Sequence, residues 1–312
     1  MMRGSSSGRG DFRPVYHPAG HDSDLRAVLQ DLRAGRWMSM RKLLGRTGAD
    51  WALRTARTQV LAAATAGSDV VQTWRAEDPG SVDALVMYAR VAVERAVRAR
   101  RDSHARTGEL GRRRGRSAGT RPTPRRATRA LGLPTGPGPA RRPARASRTP
   151  AGPGGPDARP RTVGLLQEVH ARDPYNREAY HRVLQFVYAL EGGPMAQAQY
   201  FAEWVTERAP QGSPLLLLPL YVHAERYRVE RGHERALDLH WIRQDAIGHV
   251  QRALQGWFDH SNPATRSTLD LNYLAHALWS VHQFADAARV FEAVGPYLTP
   301  VPWAYHTPTP AP

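Results

Sequence analysis

The fold is decided by residues 269–299, which read LDLNYLAHALWSVHQFADAARVFEAVGPYLT. Apolar residues recur every three to four positions, first from Leu271 to Leu278 and then from Phe284 to Val294, which is the period of an amphipathic α-helix. Each helix would be too short to be stable alone in water. The pattern therefore predicts two helices that pack on each other and are joined by a tight turn.

The spacing within this pair resembles a tetratricopeptide repeat, a helix-turn-helix unit of roughly 34 residues. Large residues fill the gap between the helices, small ones lie at the close crossing and a proline ends the unit: Leu271, Leu274, Ala275, Leu278, Phe284, Ala287, Phe291 and Pro300. The sequence departs from the usual repeat where Leu271 replaces Trp, Leu278 replaces Tyr and Val294 replaces a small residue. An ordinary helical hairpin in a bundle is the alternative.

Helical periodicity also runs through the N-terminal part of the chain. It predicts a pair of helices on either side of a turn at residues 34–37, a second pair around residues 51–64 and 69–76, and a longer helix at about residues 82–101. The Asp78-Pro79 step marks a boundary, because the residue before a proline is pushed out of the helical region. The apolar side of the longer helix is expected to carry Leu85, Tyr88, Ala89 and Ala92.

The same periodicity returns at Val163. A second Asp-Pro boundary lies at Asp173-Pro174, and one predicted helix pair follows it, ending at Pro210. The distance from Pro174 to Pro210 is 36 residues and that from Pro263 to Pro300 is 37, both close to the repeat period. Between these pairs, a long and irregular helical stretch is expected through Leu237, Trp241, Ile247, Leu254 and Trp257.

The middle of the chain has a different composition. Residues 112–161 contain 14 Arg, 10 Pro, 8 Gly and 8 Ala, and with one acid, Asp157, they carry a formal charge of +13 out of +16 for the chain. Such a segment cannot build a core, and its prolines oppose a helix. The sequence therefore predicts a disordered basic segment over residues 110–162, and disordered ends over residues 1–21 and 307–312.

Three interpretations of this basic segment remain open. It could be an arm that binds nucleic acid through phosphate contacts, although it has no aromatic residue to stack on bases. It could be a neutral disordered linker. It could also be an out-of-frame reading of a former repeat unit, because Arg, Pro, Gly and Ala are encoded by codons made of G and C, and the periodicity stops and resumes abruptly.

No pattern of catalytic or metal-ligating residues stands out. Lys42 is the one lysine and does not follow a glycine-rich loop, so a phosphate-binding P-loop is absent from the sequence. Asp245 and His249 are four residues apart and could share a helix face, but two ligands do not make a metal site. Glu203 and Glu207 have the same spacing, which usually marks a solvated face. We expect no enzyme activity and no cofactor.

Compartment and membrane association follow from composition. The chain has no cysteine, so it has no disulfides or Cys-based metal site. The N-terminal residues contain no apolar region typical of a secretory signal, and the most apolar run, residues 215–220, is too short to cross a bilayer. The sequence predicts a cytoplasmic location without membrane contact.

The expected architecture is all-α: a short solenoid of antiparallel helix pairs, with repeats over residues 22–109 and 163–306. In tetratricopeptide-like proteins the first helices of the pairs line a groove that binds peptides or partner proteins. By this resemblance, the groove would be lined by Arg90, His181, Gln185, Tyr188, Asn272, His276 and Trp279. The alternative is that these side chains pack against neighbouring helices. The resemblance implies a non-catalytic interaction scaffold with Trp279 and Tyr188 as anchors, and the alternative is a nucleic-acid-associated protein that uses the Arg-rich segment.

Overall fold

The computed structural model describes residues 12–114, 166–189, 195–230 and 240–305. Over these residues the backbone forms helices and their connecting turns, and the β-type pairing found there is one isolated parallel bridge between Val15 and Tyr297. The prediction of an all-α protein is confirmed for this part of the chain. Most of the predicted basic segment and the tail at residues 307–312 lie outside the described residues.

The structure defines the following α-helices in chain order: α1 (Ser23–Arg33), α2 (Met38–Thr47), α3 (Trp51–Thr65), α4 (Val70–Glu77), α5 (Val82–Arg114), α6 (Arg177–Ala189), α7 (Met195–Arg208), α8 (Leu218–Glu230), α9 (Gln244–Arg252), α10 (Thr268–Ser280), α11 (Phe284–Val294) and α12 (Pro300–Trp303). Residues 166–172 are also helical. Short 3₁₀ segments cover Pro214–Leu217 and Pro263–Thr265, and a π-helical segment, Ala253–Phe258, follows α9 directly.

The chain divides into two compact units. Unit 1 comprises Met1–Gly119 and Ser261–Pro312, and unit 2 comprises Thr120–His260. Helices α10 to α12 therefore group with the N-terminal helices, whereas the sequence-based division placed residues 163–306 together. Periodicity identifies helices but contains no information about which distant helices associate. It therefore could not show that α10 to α12 group with the N-terminal helices.

An extended N-terminal segment packs on the end of the α10–α11 pair in unit 1. The N–H of Val15 donates to the carbonyl of Pro296 at 2.7 Å, and the N–H of Leu298 donates to the carbonyl of Val15 at 3.1 Å. Nε2 of His21 lies 3.0 Å from the carbonyl oxygen of Val294. The described part of the predicted disordered leader, residues 12–21, is therefore held in place by backbone hydrogen bonds.

Helices α1 to α5 form the main core of unit 1. The carboxylate of Asp22 caps α1 by accepting from the N–H of Leu25 at 2.9 Å, and it also accepts from Nε of Arg57 at 2.7 Å. Each helix packs on the next or the next but one, as expected where short amphipathic helices cover each other in sequence order. The apolar residues that recur at helical spacing in α1 and α2 are buried: Leu25, Val28, Leu29, Leu32, Met40, Leu43 and Leu44.

Helix α5 differs from its prediction in both length and orientation. It continues to Arg114, beyond the predicted end at about residue 101, because the next proline in the sequence is Pro122. Its core-facing residues are Ala84, Met87 and Val91, all nearly inaccessible to solvent. The side predicted to be buried, with Leu85, Tyr88, Ala89 and Ala92, is exposed. Both sides of this helix are apolar, so periodicity alone could not choose between them.

Unit 2 is built around the α6–α7 pair. The apolar residues at helical spacing in both helices are buried together with the start of the next helical segment: Tyr180, Val183, Leu184, Val187, Ala198, Phe201, Ala202, Val205, Leu215 and Leu218. The expected long helical stretch through Leu237 and Trp257 is not continuous. Residues 231–239 lie outside the described part, Trp241 lies in a turn, and α9 begins at Gln244.

Candidate partner-binding surface

The seven residues predicted to line a groove are divided between the two units. Arg90 lies half-buried on α5, and Asn272, His276 and Trp279 lie on α10. The remaining three, His181, Gln185 and Tyr188, lie on α6 in unit 2. The seven residues therefore form two groups, one in each unit.

Asn272 is completely buried and serves as an internal hydrogen-bonding residue. Its Nδ2 donates to the carbonyls of Thr268 at 2.8 Å and Tyr297 at 3.2 Å. Its Oδ1 accepts from Nε1 of Trp303 at 2.8 Å and from the N–H of Thr299 at 3.3 Å. The side chain therefore ties the segment after α11 back to α10, and its placement on an open groove is corrected.

His276 is buried as well, one turn further along α10, with 2 % of its surface exposed. Its ring meets the ring of Trp303 edge to face, with the centroids 5.2 Å apart. The ring of Phe291 stacks on Trp303 from α11 at 5.7 Å. Trp303 thus covers the position where His276 was expected to face a partner, and this prediction is also corrected.

Trp279, by contrast, is 56 % exposed. Its ring lies edge to face against Phe284, which is 52 % exposed, at a centroid distance of 5.0 Å. The ring of His282 lies 5.7 Å from that of Phe284. We call Trp279, His282 and Phe284 the aromatic tip, because they surround the turn between α10 and α11. The sequence resemblance placed Phe284 in the core, whereas the buried positions of α11 are Ala287, Val290 and Val294.

The turn beneath the aromatic tip has a defined backbone geometry. The N–H of His282 donates to the carbonyl of Trp279 at 3.1 Å, and the N–H of Gln283 donates to the carbonyl of Leu278 at 2.9 Å. This is the Schellman arrangement that ends helices, in which a left-handed residue, normally glycine, follows the last helical turn. Here that residue is His282, with φ of 62°. A side chain in this conformation costs about 1–2 kcal/mol relative to a right-handed one.

The α6 residues of unit 2 have more varied surroundings. The His181 ring lies edge to face against Tyr221 at 4.5 Å, and burial, together with Arg177 and Arg182, holds its pKa well below the ordinary value. Gln185 is exposed and Tyr188 is half-buried. Whether these residues contact a partner remains a prediction, because a half-buried tyrosine and a single exposed glutamine also occur on ordinary surfaces.

A histidine cluster in unit 2 escaped the sequence reasoning, which considered only His249 with Asp245. Nε2 of His223 lies 3.1 Å from Nδ1 of His249, and Nε2 of His240 lies 3.0 Å from the carbonyl oxygen of His223. Burial, with the neighbouring His249 and His240, lowers the pKa of His223 to about 3. Burial also lowers the pKa of His249. The rings of His223 and His249 are therefore neutral near pH 7, and all three rings form part of the packing.

The cluster brings no metal-binding arrangement with it. Over the residues that the structure describes, no group of three or more His, Asp or Glu side chains is placed to hold a metal ion. Asp245 does share α9 with His249, but its carboxylate accepts from Nε of Arg243 at 3.1 Å. Nor does any helix in the described ranges combine the length and apolar character needed to cross a membrane.

Comparison with known proteins adds no assignment. No family model matches the chain, and neither the curated proteins nor the solved structures give a match. Of the two predicted anchors, Tyr188 is half-buried and Trp279, in the aromatic tip, is exposed.

Proposed function

We propose that this chain is a non-catalytic, tetratricopeptide-like scaffold that binds a partner polypeptide through the aromatic tip of unit 1. The observation that carries the proposal is the exposed contact between Trp279 and Phe284. Exposed apolar residues are ordinary when scattered, but adjacent exposed aromatic rings are typical of protein-binding sites, where Trp contributes large contact area at low entropic cost.

The backbone of the turn supports the same proposal. His282 occupies a left-handed position that glycine would take without strain. Strained non-glycine residues cluster at functional sites, because the side chain there has a use that offsets the conformational cost. The imidazole of His282 lies beside Phe284 and adds a polar edge to an otherwise apolar tip. A partner with an apolar side chain and a nearby hydrogen-bonding group would complement it.

Site-specific photo-crosslinking tests the proposal in the full chain. A photoreactive amino acid in place of Trp279 should crosslink in cells to a discrete partner polypeptide that mass spectrometry can identify. Trp51 offers a matched control, since it is an exposed tryptophan in the same unit, 69 % exposed, on α3. The same crosslinked species from both positions, or none from position 279, would contradict the proposal.

The second candidate is non-specific nucleic-acid association through residues 112–161. Its support is the concentration of +13 formal charges in that segment, which would release counterions from a phosphate backbone. Such binding would weaken steeply with salt and would vanish on deletion of residues 112–161. Binding to a DNA duplex that survives the deletion would remove this candidate and leave the aromatic tip unaffected.

A further inference from the structure

A pocket in unit 2 is lined mainly by aromatic side chains. Its volume is about 320 Å³, at the lower end of the range of ligand-binding sites. The lining comes from α6 and α7, from the turn before α6 and from the short helical segments on either side. We call it the aromatic pocket, and its residues are His170, Tyr175, Tyr180, Trp204, Val205, Arg208 and Leu215.

The aromatic pocket has a buried floor and accessible rings above it. Tyr180, Val205 and Leu215 belong to the buried core of unit 2 and form the floor. Tyr175 is 42 % exposed, and Trp204 is half-buried, packed on the same core. A ligand can therefore reach aromatic surface from solvent without displacing a core residue.

Hydrogen bonds hold the His170 ring in place before any ligand binds. The hydroxyl of Tyr180 donates to the carbonyl of Pro174 at 2.9 Å, and Nδ1 of His170 lies 2.9 Å from the same hydroxyl oxygen. Burial, with nearby Tyr175 and Asp173, raises the pKa of Tyr180, so its hydroxyl keeps the proton. Because that proton goes to Pro174, Nδ1 of His170 is the donor in the second bond.

Trp204 and Arg208 bring hydrogen-bond donors to the pocket. They are one turn apart on α7, and the guanidinium carbon of Arg208 lies 4.7 Å from the centroid of the Trp204 ring. Nη1 of Arg208 donates to the carbonyl of Trp204 at 2.9 Å, which holds the guanidinium near the ring. The indole N–H and the guanidinium can donate hydrogen bonds but cannot accept them. A ligand that contacts them needs acceptors.

A proline-rich peptide in the polyproline II conformation has this chemistry. Proline offers an apolar ring that packs on aromatic side chains, and it has no backbone N–H that would need an acceptor. Polyproline II has no internal hydrogen bonds, so its carbonyls are free to accept. An α-helical peptide, by contrast, satisfies its own backbone groups.

Aromatic-lined sites bind proline-rich segments in several kinds of domain, because such a segment is already extended and loses little entropy on binding. We propose that the aromatic pocket binds a proline-rich segment of a partner polypeptide. This site is independent of the aromatic tip, which lies in unit 1.

Isothermal titration calorimetry of the full chain with a decaproline peptide tests the proposal. The peptide is acetylated and amidated, so it carries no charge that the net charge of +16 on the chain could attract. We expect saturable binding of this peptide and none of a Gly-Ser peptide of the same length. No saturable binding of decaproline at millimolar concentration, or equal binding of both peptides, would overturn the proposal.

Two exposed side chains of the pocket test its location. Tyr175→Ala removes a ring, and Arg208→Met removes the guanidinium donors but keeps an unbranched side chain. Each should weaken decaproline binding by about tenfold. Tyr200→Ala is the matched control, since Tyr200 also lies on α7, is 40 % exposed and does not line the pocket. Unchanged affinity in both pocket variants, with circular dichroism showing intact helices, would overturn the assignment.

A carboxylate is the other acceptor that these donors could bind. Decaproline with a free C-terminal carboxylate separates the two possibilities. Equal affinity of the free and the amidated peptide supports recognition of the proline segment. Binding of the free form alone would overturn the proposal and make the aromatic pocket a carboxylate site.

Discussion

Helices α5 and α10 lie in the same unit and both carry apolar residues on more than one side, yet α10 is covered all round and α5 is covered on one side. Every residue of α10 from Asp270 to Leu278 is buried, whereas the side of α5 that carries Val82, Leu85 and Val93, its outer face, is exposed. The comparison teaches that apolar residues on a second side of a helix do not by themselves show that this side is covered. For α10 the cover includes α11 and Trp303, whereas α5 is buried along Ala84, Met87 and Val91.

The two helices also differ in whether polar residues lie among their apolar ones. Helix α10 contains Asn272, which is buried and bonded to four groups around it. The outer face of α5 contains no polar residue over its whole length. A buried polar residue needs particular hydrogen-bond partners and therefore holds a helix against specific neighbours in the same chain. Apolar side chains have no such requirement.

The largest effect is expected from truncating the same residue type on each helix. Leu274→Ala in α10, where Leu274 is fully buried, should lower the free energy of unfolding by about 2–5 kcal/mol. Leu85→Ala on the outer face should change the unfolding of the monomer by at most about 0.5 kcal/mol. Urea denaturation at low protein concentration measures both. Equal losses would show that the outer face is covered within the monomer.

Acid gives a second contrast, because the buried histidine cluster lies in unit 2, whereas α5 and α10 lie in unit 1. The folded-state pKa of His223 is about 3, below its unfolded value of 6.5, so the unfolded chain binds more protons between these pH values. Stability is complete above pH 6.5 and falls as the pH drops towards 3, by about 1.4 kcal/mol per pH unit at most. The lowered pKa of His249 acts in the same direction.

Hydrogen exchange at single residues measures this acid effect. Between pH 7 and pH 4.5, protection should fall in α8 and α9 before it falls in α10. His223→Gln should flatten the dependence, because glutamine keeps a polar side chain and does not titrate. An equal loss of protection in α10 would contradict the assignment of the acid sensitivity to the histidine cluster.

A smaller effect is expected from the internal bonds of α10. Asn272→Ala should destabilise unit 1 by about 1–3 kcal/mol, since Nε1 of Trp303 and the carbonyl of Tyr297 lose their partner. Thermal unfolding of the single variants and of the double variant with Trp303→Phe gives the coupling energy. Additive effects would mean that the Asn272–Trp303 bond does not hold the C-terminal segment.

The smallest effect should have the opposite sign. His282→Gly relieves the left-handed strain and should stabilise unit 1 by about 1 kcal/mol. The proposal that His282 contributes to the aromatic tip predicts weaker partner binding in the same variant. His282→Asn is the control, because asparagine tolerates the left-handed conformation and keeps a polar group. A more stable variant with unchanged binding would make His282 only a helix terminator.

Much of the fold was accessible from the sequence, because apolar residues recur at helical spacing in α1 to α4, α6, α7, α10 and α11. The predicted breaks at Asp78 and at Asp173 follow from the local effect of proline. The prediction of the core face of α5 was wrong, because this helix has two apolar stripes. The prediction of a helix through Trp241 was also wrong. Irregularly spaced apolar residues occur in turns as well as in helices.

The candidate site was less predictable than the fold. Trp279 follows from the resemblance to the repeat and is exposed, but Asn272 and His276 share its helix and are buried in contact with Trp303, which is distant in sequence. The contact between Trp279 and Phe284 depends on the turn that contains His282. A pattern of residue types does not give the backbone geometry of that turn. The histidine cluster likewise joins His223 and His249 from different helices.

The most direct test of the scaffold proposal is the affinity of the purified chain for the partner crosslinked from position 279. Trp279→Ala should weaken that affinity by about thirtyfold, equivalent to a loss of about 2 kcal/mol at an interface anchor, while Trp51→Ala should bind like the original chain. Unchanged affinity in Trp279→Ala, with helical content intact in both variants, would contradict the assignment of the aromatic tip as the partner-binding surface.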